Sequence, residues 1–93
     1  MKVKVALVQM KVIFDQPEVN LRHAKELIAK AALGGTQIAV LPECSDLGWG
    51  TVNAKNLAET IPGATSDYYC EVAKEYKIFL VVGITERGTT FVG

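Results

Sequence analysis

Three apolar runs punctuate the chain: Val3 to Met10, Gln37 to Leu41 and Ile78 to Ile84. They are rich in Val, Ile and Leu and read as strands. The second and third are continuous rather than alternating. A strand that is apolar at successive positions buries both of its faces, the habit of parallel α/β sheets. Between the first two runs the period lengthens. Leu21, Ala24, Leu27, Ile28, Ala31 and Ala32 fall on one face of a helix. Asp15-Gln16-Pro17-Glu18 carries start signals, namely a capping side chain, an early proline and an acid three residues after the cap. A start nearer Asn20 fits the apolar face equally well. Arg22 with Glu26, and Glu26 with Lys30, have the spacing to pair on the solvent side. Gly34-Gly35 supplies the stop.

Ile61-Pro62-Gly63 reads as a turn, and Thr65-Ser66-Asp67 offers caps for a second helix with the buried stripe Tyr69, Val72, Ala73 and Tyr76. The predicted order is β-α-β-loop-α-β. A short fourth strand is expected from near Thr89, after the polar turn Glu86-Arg87-Gly88. Such alternation predicts an α/β fold of parallel strands joined by right-handed crossovers. If the strands lie in sequential order, both helices fall on one face of the sheet. The other face, apolar by its sequence, is then uncovered and needs a second layer.

Composition narrows the classes. The chain has 93 residues, 49% hydrophobic and 22% charged, so residues 1–93 are expected to belong to a single globular domain with no second domain. At this size a chain buries only about 60–65% of the surface its unfolded form exposes. Ten basic side chains balance ten acidic ones, so no electrostatic footprint points to nucleic acid or anionic lipid. Lys2 and Lys4 before Val5-Ala6-Leu7-Val8 imitate a signal peptide, but Gln9 and Lys11 interrupt the run. Ile78 to Ile84 falls far short of the roughly 20 residues of a membrane span. Cys44 and Cys70 are too few for a disulfide scaffold. Together these features lead us to expect a cytoplasmic protein with no internal repeat or linker.

The segment Val40-Leu41-Pro42-Glu43-Cys44 carries the candidate chemistry. A buried strand ends in proline and delivers a carboxylate to its C-terminal edge, where open α/β sheets bind ligands. Partly desolvated there, Glu43 would make a usable base near neutrality, whereas a solvated loop glutamate would do nothing. Other chemistries fail in this chain. Gly48-Trp49-Gly50 follows a strand, but a dinucleotide fingerprint would need its third glycine at Asn53. Cys44 and Cys70 lack metal-ligand spacing, and the lone His23, in mid-helix, completes neither a zinc set nor a triad. No cofactor and no metal are expected. Adjacent residues of an extended chain point apart, so Glu43 would not activate Cys44. Both cysteines read as small buried or half-buried side chains.

The ordered set of motifs is more specific than any one of them. Lys4-Val5-Ala6-Leu7-Val8-Gln9-Met10, Asn20-Leu21, Ala31-Ala32 with its glycine turn, and Val40-Leu41-Pro42-Glu43 resemble the start of the nitrilase, or carbon–nitrogen hydrolase, superfamily. Leu57-Ala58-Glu59, Ile61-Pro62-Gly63, Ala73-Lys74-Glu75-Tyr76 and Val82-Gly83-Ile84-Thr85-Glu86-Arg87 follow in the same order. The resemblance implies the N-terminal β-α-β-α-β portion of an α-β-β-α sandwich. It also implies a Glu-Lys-Cys catalytic set that cleaves non-peptide carbon–nitrogen bonds of amides, carbamoyl compounds or nitriles. Glu43 matches the family's general base. The lysine and the nucleophilic cysteine match nothing in this chain; neither Cys44 nor Cys70 inherits that role, and Thr89 to Gly93 departs from the pattern. Trp49, just past Glu43, is expected either to line the substrate pocket or to anchor a long loop. The complete enzyme is expected to be a homo-oligomer acting on a small substrate. Two further readings are a non-catalytic module that oligomerises through the bare sheet face and a flavodoxin-like ligand binder, the latter resting on element order alone.

Overall fold

The computed structural model describes residues 2–88. Its strands are β1 (Val5–Leu7), β2 (Ile38–Val40) and β3 (Phe79–Val81), and its helices are α1 (Pro17–Leu33), α2 (Ala54–Leu57) and α3 (Ala64–Tyr76). The strands form one parallel sheet in the order β1-β2-β3. The fold is thus α/β with the expected alternation, to which α2, a single turn inside the expected loop, is added.

Register decides what each face carries. Ala6, Ala39 and Leu80 stand in one row, flanked by the rows Val5-Ile38-Phe79 and Leu7-Val40-Val81. Because side chains alternate along a strand, the middle row faces one way and the outer rows the other. The middle row meets the helices. Ala24 and Ile28 of α1 and Tyr69 and Val72 of α3 form the buried core with Ala39, Leu41 and Ile78. Both helices therefore cover the same face, as sequential strand order requires. The opposite face carries six apolar side chains in a two-by-three grid, with Leu7 74% and Phe79 78% exposed.

The helices begin for reasons the sequence only half discloses. Pro17 occupies the first turn of α1, where its missing N–H is harmless. The residue before it, Gln16, is the N-cap, and its side chain accepts no capping hydrogen bond. Asp15, expected to cap the helix, has φ 62° and turns its carboxylate elsewhere. Thr65, Ser66 and Asp67 lie inside the first turn of α3 rather than before it, and Gly63 is the N-cap. The Ser66 hydroxyl reaches back to accept the Gly63 N–H at 2.9 Å. Of the expected charge pairs on α1, none forms among the described residues. Lys25 instead crosses to Glu75 of α3 at 3.4 Å, joining the two helices at their solvent edge. The fourth strand expected near Thr89 lies outside the described residues.

Candidate active site at the strand exits

Pro42 follows the buried Leu41 and has no N–H for the ladder, so pairing of β2 ends there. Residues 43–47 then form a turn. Glu43 is its first residue and its side chain is exposed, so the desolvation expected from its strand-end position is not supplied by the described residues. Cys44 follows with φ 48°. The backbone is left-handed at this point, and the extended geometry expected to separate Glu43 from Cys44 does not apply. Cys44 is half-buried, as expected, whereas Cys70 is exposed on α3; neither is in a disulfide.

The turn is fastened at its next two residues, both buried. Ser45 donates its backbone N–H to the Gly83 carbonyl at 2.8 Å and its hydroxyl to the same oxygen at 3.0 Å. Its Oγ lies 2.9 Å from the Tyr69 hydroxyl. Serine has one proton to give, and with that proton on Gly83 the phenol is the donor in this pair. Burial pushes the Tyr69 phenol up to about 12, so it remains a donor across the neutral range. Asp46 accepts the Thr85 N–H on both carboxylate oxygens at 3.1 Å and the Thr85 hydroxyl at 3.2 Å. Its own carbonyl accepts the Asn20 amide at 2.7 Å.

Two glycines make room for this arrangement. A Cβ at Gly83 would stand 2.7 Å from the Glu43 Cα and 3.1 Å from the Pro42 oxygen. The chain leaving β3 therefore lies directly against the backbone that presents Glu43. Gly48 has φ +91°, and a Cβ there would stand 2.3 Å from the Phe14 ring. Beyond it the loop is tied back to the start of α1. Asp15 accepts hydrogen bonds from the Thr51 hydroxyl and, at 2.6 Å, from the Asn53 amide. The Asn53 bond, then the Thr51 bond, hold the Asp15 carboxyl below its usual range. Trp49, between Gly48 and Gly50, is 73% exposed.

Glu43 and Trp49 thus lie on one fastened loop at the C-terminal edge of the sheet. An open apolar groove of about 380 Å³ runs between α3 and β3, lined by Tyr69, Ala73, Leu80 and Val82 among others. It includes neither Glu43 nor Trp49. Among the described residues no cluster of His, Cys, Asp and Glu could hold a metal ion, and no helix is long and apolar enough to cross a membrane. Ser45, Asp46, Gly83 and Thr85 are the residues that inspection of the sequence for chemistry passes over. Gly83 leaves one trace, as a lone glycine inside an apolar strand run, a mark of close backbone approach.

The carbon–nitrogen hydrolase family pattern matches residues 4–91 of the chain. The omega-amidase NIT2-A of Xenopus laevis is 42% identical over 82 residues, 88% of this chain and 29% of that protein. The omega-amidase NIT2 of Mus musculus is 39% identical over 80 residues, 86% of this chain and 29% of that protein. The nitrilase of Pyrococcus abyssi is 35% identical over 89 residues, 91% of this chain and 34% of that protein. The chain spans about three-tenths of the length of these relatives, between 29% and 34%.

Proposed function

The chain belongs to the carbon–nitrogen hydrolase family, and we propose that Glu43 is the general base of an amide-cleaving site to which these residues contribute one wall. The observation that carries this reading is the placement of Glu43. It stands one residue past the proline that ends the central strand, at the edge where open α/β sheets bind ligands. In the proposed reaction Glu43 takes the proton of a cysteine thiol supplied by the remainder of the enzyme. The thiolate attacks the amide carbon, a lysine from the same remainder stabilises the developing oxyanion, and Glu43 returns its proton to the departing ammonia or amine. Water then hydrolyses the thioester, with Glu43 again as base. The omega-amidases among the relatives favour a small terminal amide as substrate, and the nitrilase a related nitrile. Trp49, with its indole exposed beside this loop, would face the substrate. The assembled enzyme is proposed to be a homo-oligomer.

The test is Glu43→Gln in the full-length protein, followed by ammonia release from a short aliphatic amide. Loss of the base lowers turnover by about 10²–10⁴-fold with the fold intact. Activity within about tenfold of wild type would refute the assignment.

A second reading, a non-catalytic module that oligomerises through its sheet, is favoured by the exposed grid opposite the helices. Size-exclusion of the 93-residue chain separates the two. A stable monomer that binds no hydrophobic dye removes the oligomerisation reading.

A further inference from the structure

Resting on the reading of Glu43 as base, we infer that Ser45 and Gly83 are positioning residues for its carboxylate, acting as the two jaws of a clamp between the Glu43 turn and the chain leaving β3. Glu43 is exposed, and among the described residues its side chain makes no hydrogen bond. Its direction is therefore inherited from its backbone. That backbone is constrained on both sides. Behind it the Gly83 Cα faces the Glu43 Cα so closely that an added Cβ would lie at 2.7 Å. One residue beyond Cys44, Ser45 grips the Gly83 carbonyl twice, through N–H at 2.8 Å and through hydroxyl at 3.0 Å. The left-handed Cys44, φ 48°, is the bend that lets Glu43 point outward while Ser45 turns fully inward. Tyr69 completes the grip by donating to the Ser45 oxygen at 2.9 Å.

The arrangement locates where displacement would originate. Carbon atoms pack at about 3.5–4.0 Å, so a methyl at position 83 moves the Glu43 backbone by roughly 1 Å. A base displaced by that distance loses on the order of 10² in rate, because proton transfer depends on a near-attack geometry. Removing the Ser45 hydroxyl is milder. It deletes one of the two bonds to Gly83 and leaves the N–H bond in place.

The experiment uses the full-length protein and ammonia release from a short aliphatic amide. Ser45→Ala and Gly83→Ala are each made in the wild-type background and in a Glu43→Asp background, where the carboxylate is already withdrawn by one methylene. In the wild-type background the expected losses in kcat are about tenfold and about 100-fold, with KM changed by less than about threefold. In the Glu43→Asp background each loss shrinks to under about threefold, because both changes act through a carboxylate that is already misplaced. A general structural role would not produce this dependence. Equal losses in the two backgrounds overturn the inference. So does a loss carried by KM, or a Ser45→Ala enzyme whose kcat stays within about twofold of wild type. If Gly83→Ala does not fold, Ser45→Ala decides alone. Failure of the underlying reading has its own signature, a Glu43→Gln enzyme that remains active.

Discussion

Asn20 offers the sharpest test of how the candidate site is supported. It is 1% exposed, near the start of α1, and its amide serves two distant pieces of chain. Its Oδ1 accepts the Ile13 N–H at 2.8 Å, and its Nδ2 donates to the Ile13 carbonyl at 2.7 Å and to the Asp46 carbonyl at 2.7 Å. Asn20→Ala removes all three bonds. Ile13 is 42% exposed, so water can reach its freed groups, and each of those bonds is worth only about 1 kcal/mol. The Asp46 carbonyl is enclosed, and an unsatisfied buried acceptor costs about 1–3 kcal/mol. The sum is about 3–5 kcal/mol, one of the larger effects available to a single side chain. In a full-length protein of the relatives' size this corresponds to a fall in Tm of roughly 6–20 °C. Denaturant and thermal unfolding of the full-length protein measure it. Limited proteolysis of the loop after Glu43 reads whether the loss is local. A change below about 1 kcal/mol with unchanged loop cleavage would show that Asn20 is not the tie the geometry describes.

Two further predictions rest on other features. Tyr69, pushed up to about 12 from the ordinary 10.0 of a phenol, holds a proton in the folded state that the unfolded state releases first. Its contribution is complete below pH 10 and is lost as pH rises from about 10 to 12, about 3 kcal/mol in all at 1.36 kcal/mol per unit. Denaturant titrations across this range should show that loss, and Tyr69→Phe should flatten it; an unchanged alkaline slope in the variant would place the effect elsewhere. On the bare sheet face, Leu7→Ser with Phe79→Ser should lower hydrophobic-dye binding by the isolated chain. The same pair should cost the full-length protein about 3–6 kcal/mol, at 1.5–3 kcal/mol for each side chain buried there. A full-length variant as stable as wild type would mean that the face stays open in the whole protein.

The sheet was legible because three apolar runs, Val3–Met10, Gln37–Leu41 and Ile78–Ile84, the last two of them continuous, admit few other structures. The bare face followed from strand order alone, before any side chain was placed. Local capping was less legible. Asp15 has the chemistry of a cap, yet Thr51 and Asn53 engage it instead, and those partners come from 36 and 38 residues away. Gly63 caps α3 because the chain arrives extended and Ser66 reaches back to it, while the three polar residues after it look like better candidates. Cys70 reads by residue type as buried or half-buried, but at its position on α3 it is exposed. The position of Glu43 at the strand end was readable from Leu41-Pro42, whereas its support was not. Ser45 and Asp46 have ordinary loop composition, and their role exists only once Gly83 and Thr85 have come alongside. Trp49 could be read from the sequence as pocket wall or loop anchor, and among the described residues its side chain is 73% exposed.

The fastening of the Glu43 turn also has a kinetic consequence. Its partners lie at sequence separations of 24, 26, 38 and 39 residues. Closing loops of that length is entropically unfavourable until the intervening segments are ordered. The five-residue turn is therefore expected to order late in folding, after α1 and α3 have docked and β3 has paired. During synthesis the bonds that fasten it cannot all form before Gly83 and Thr85 are present, so a change that delays β3 is expected to delay the fixing of Glu43 as well.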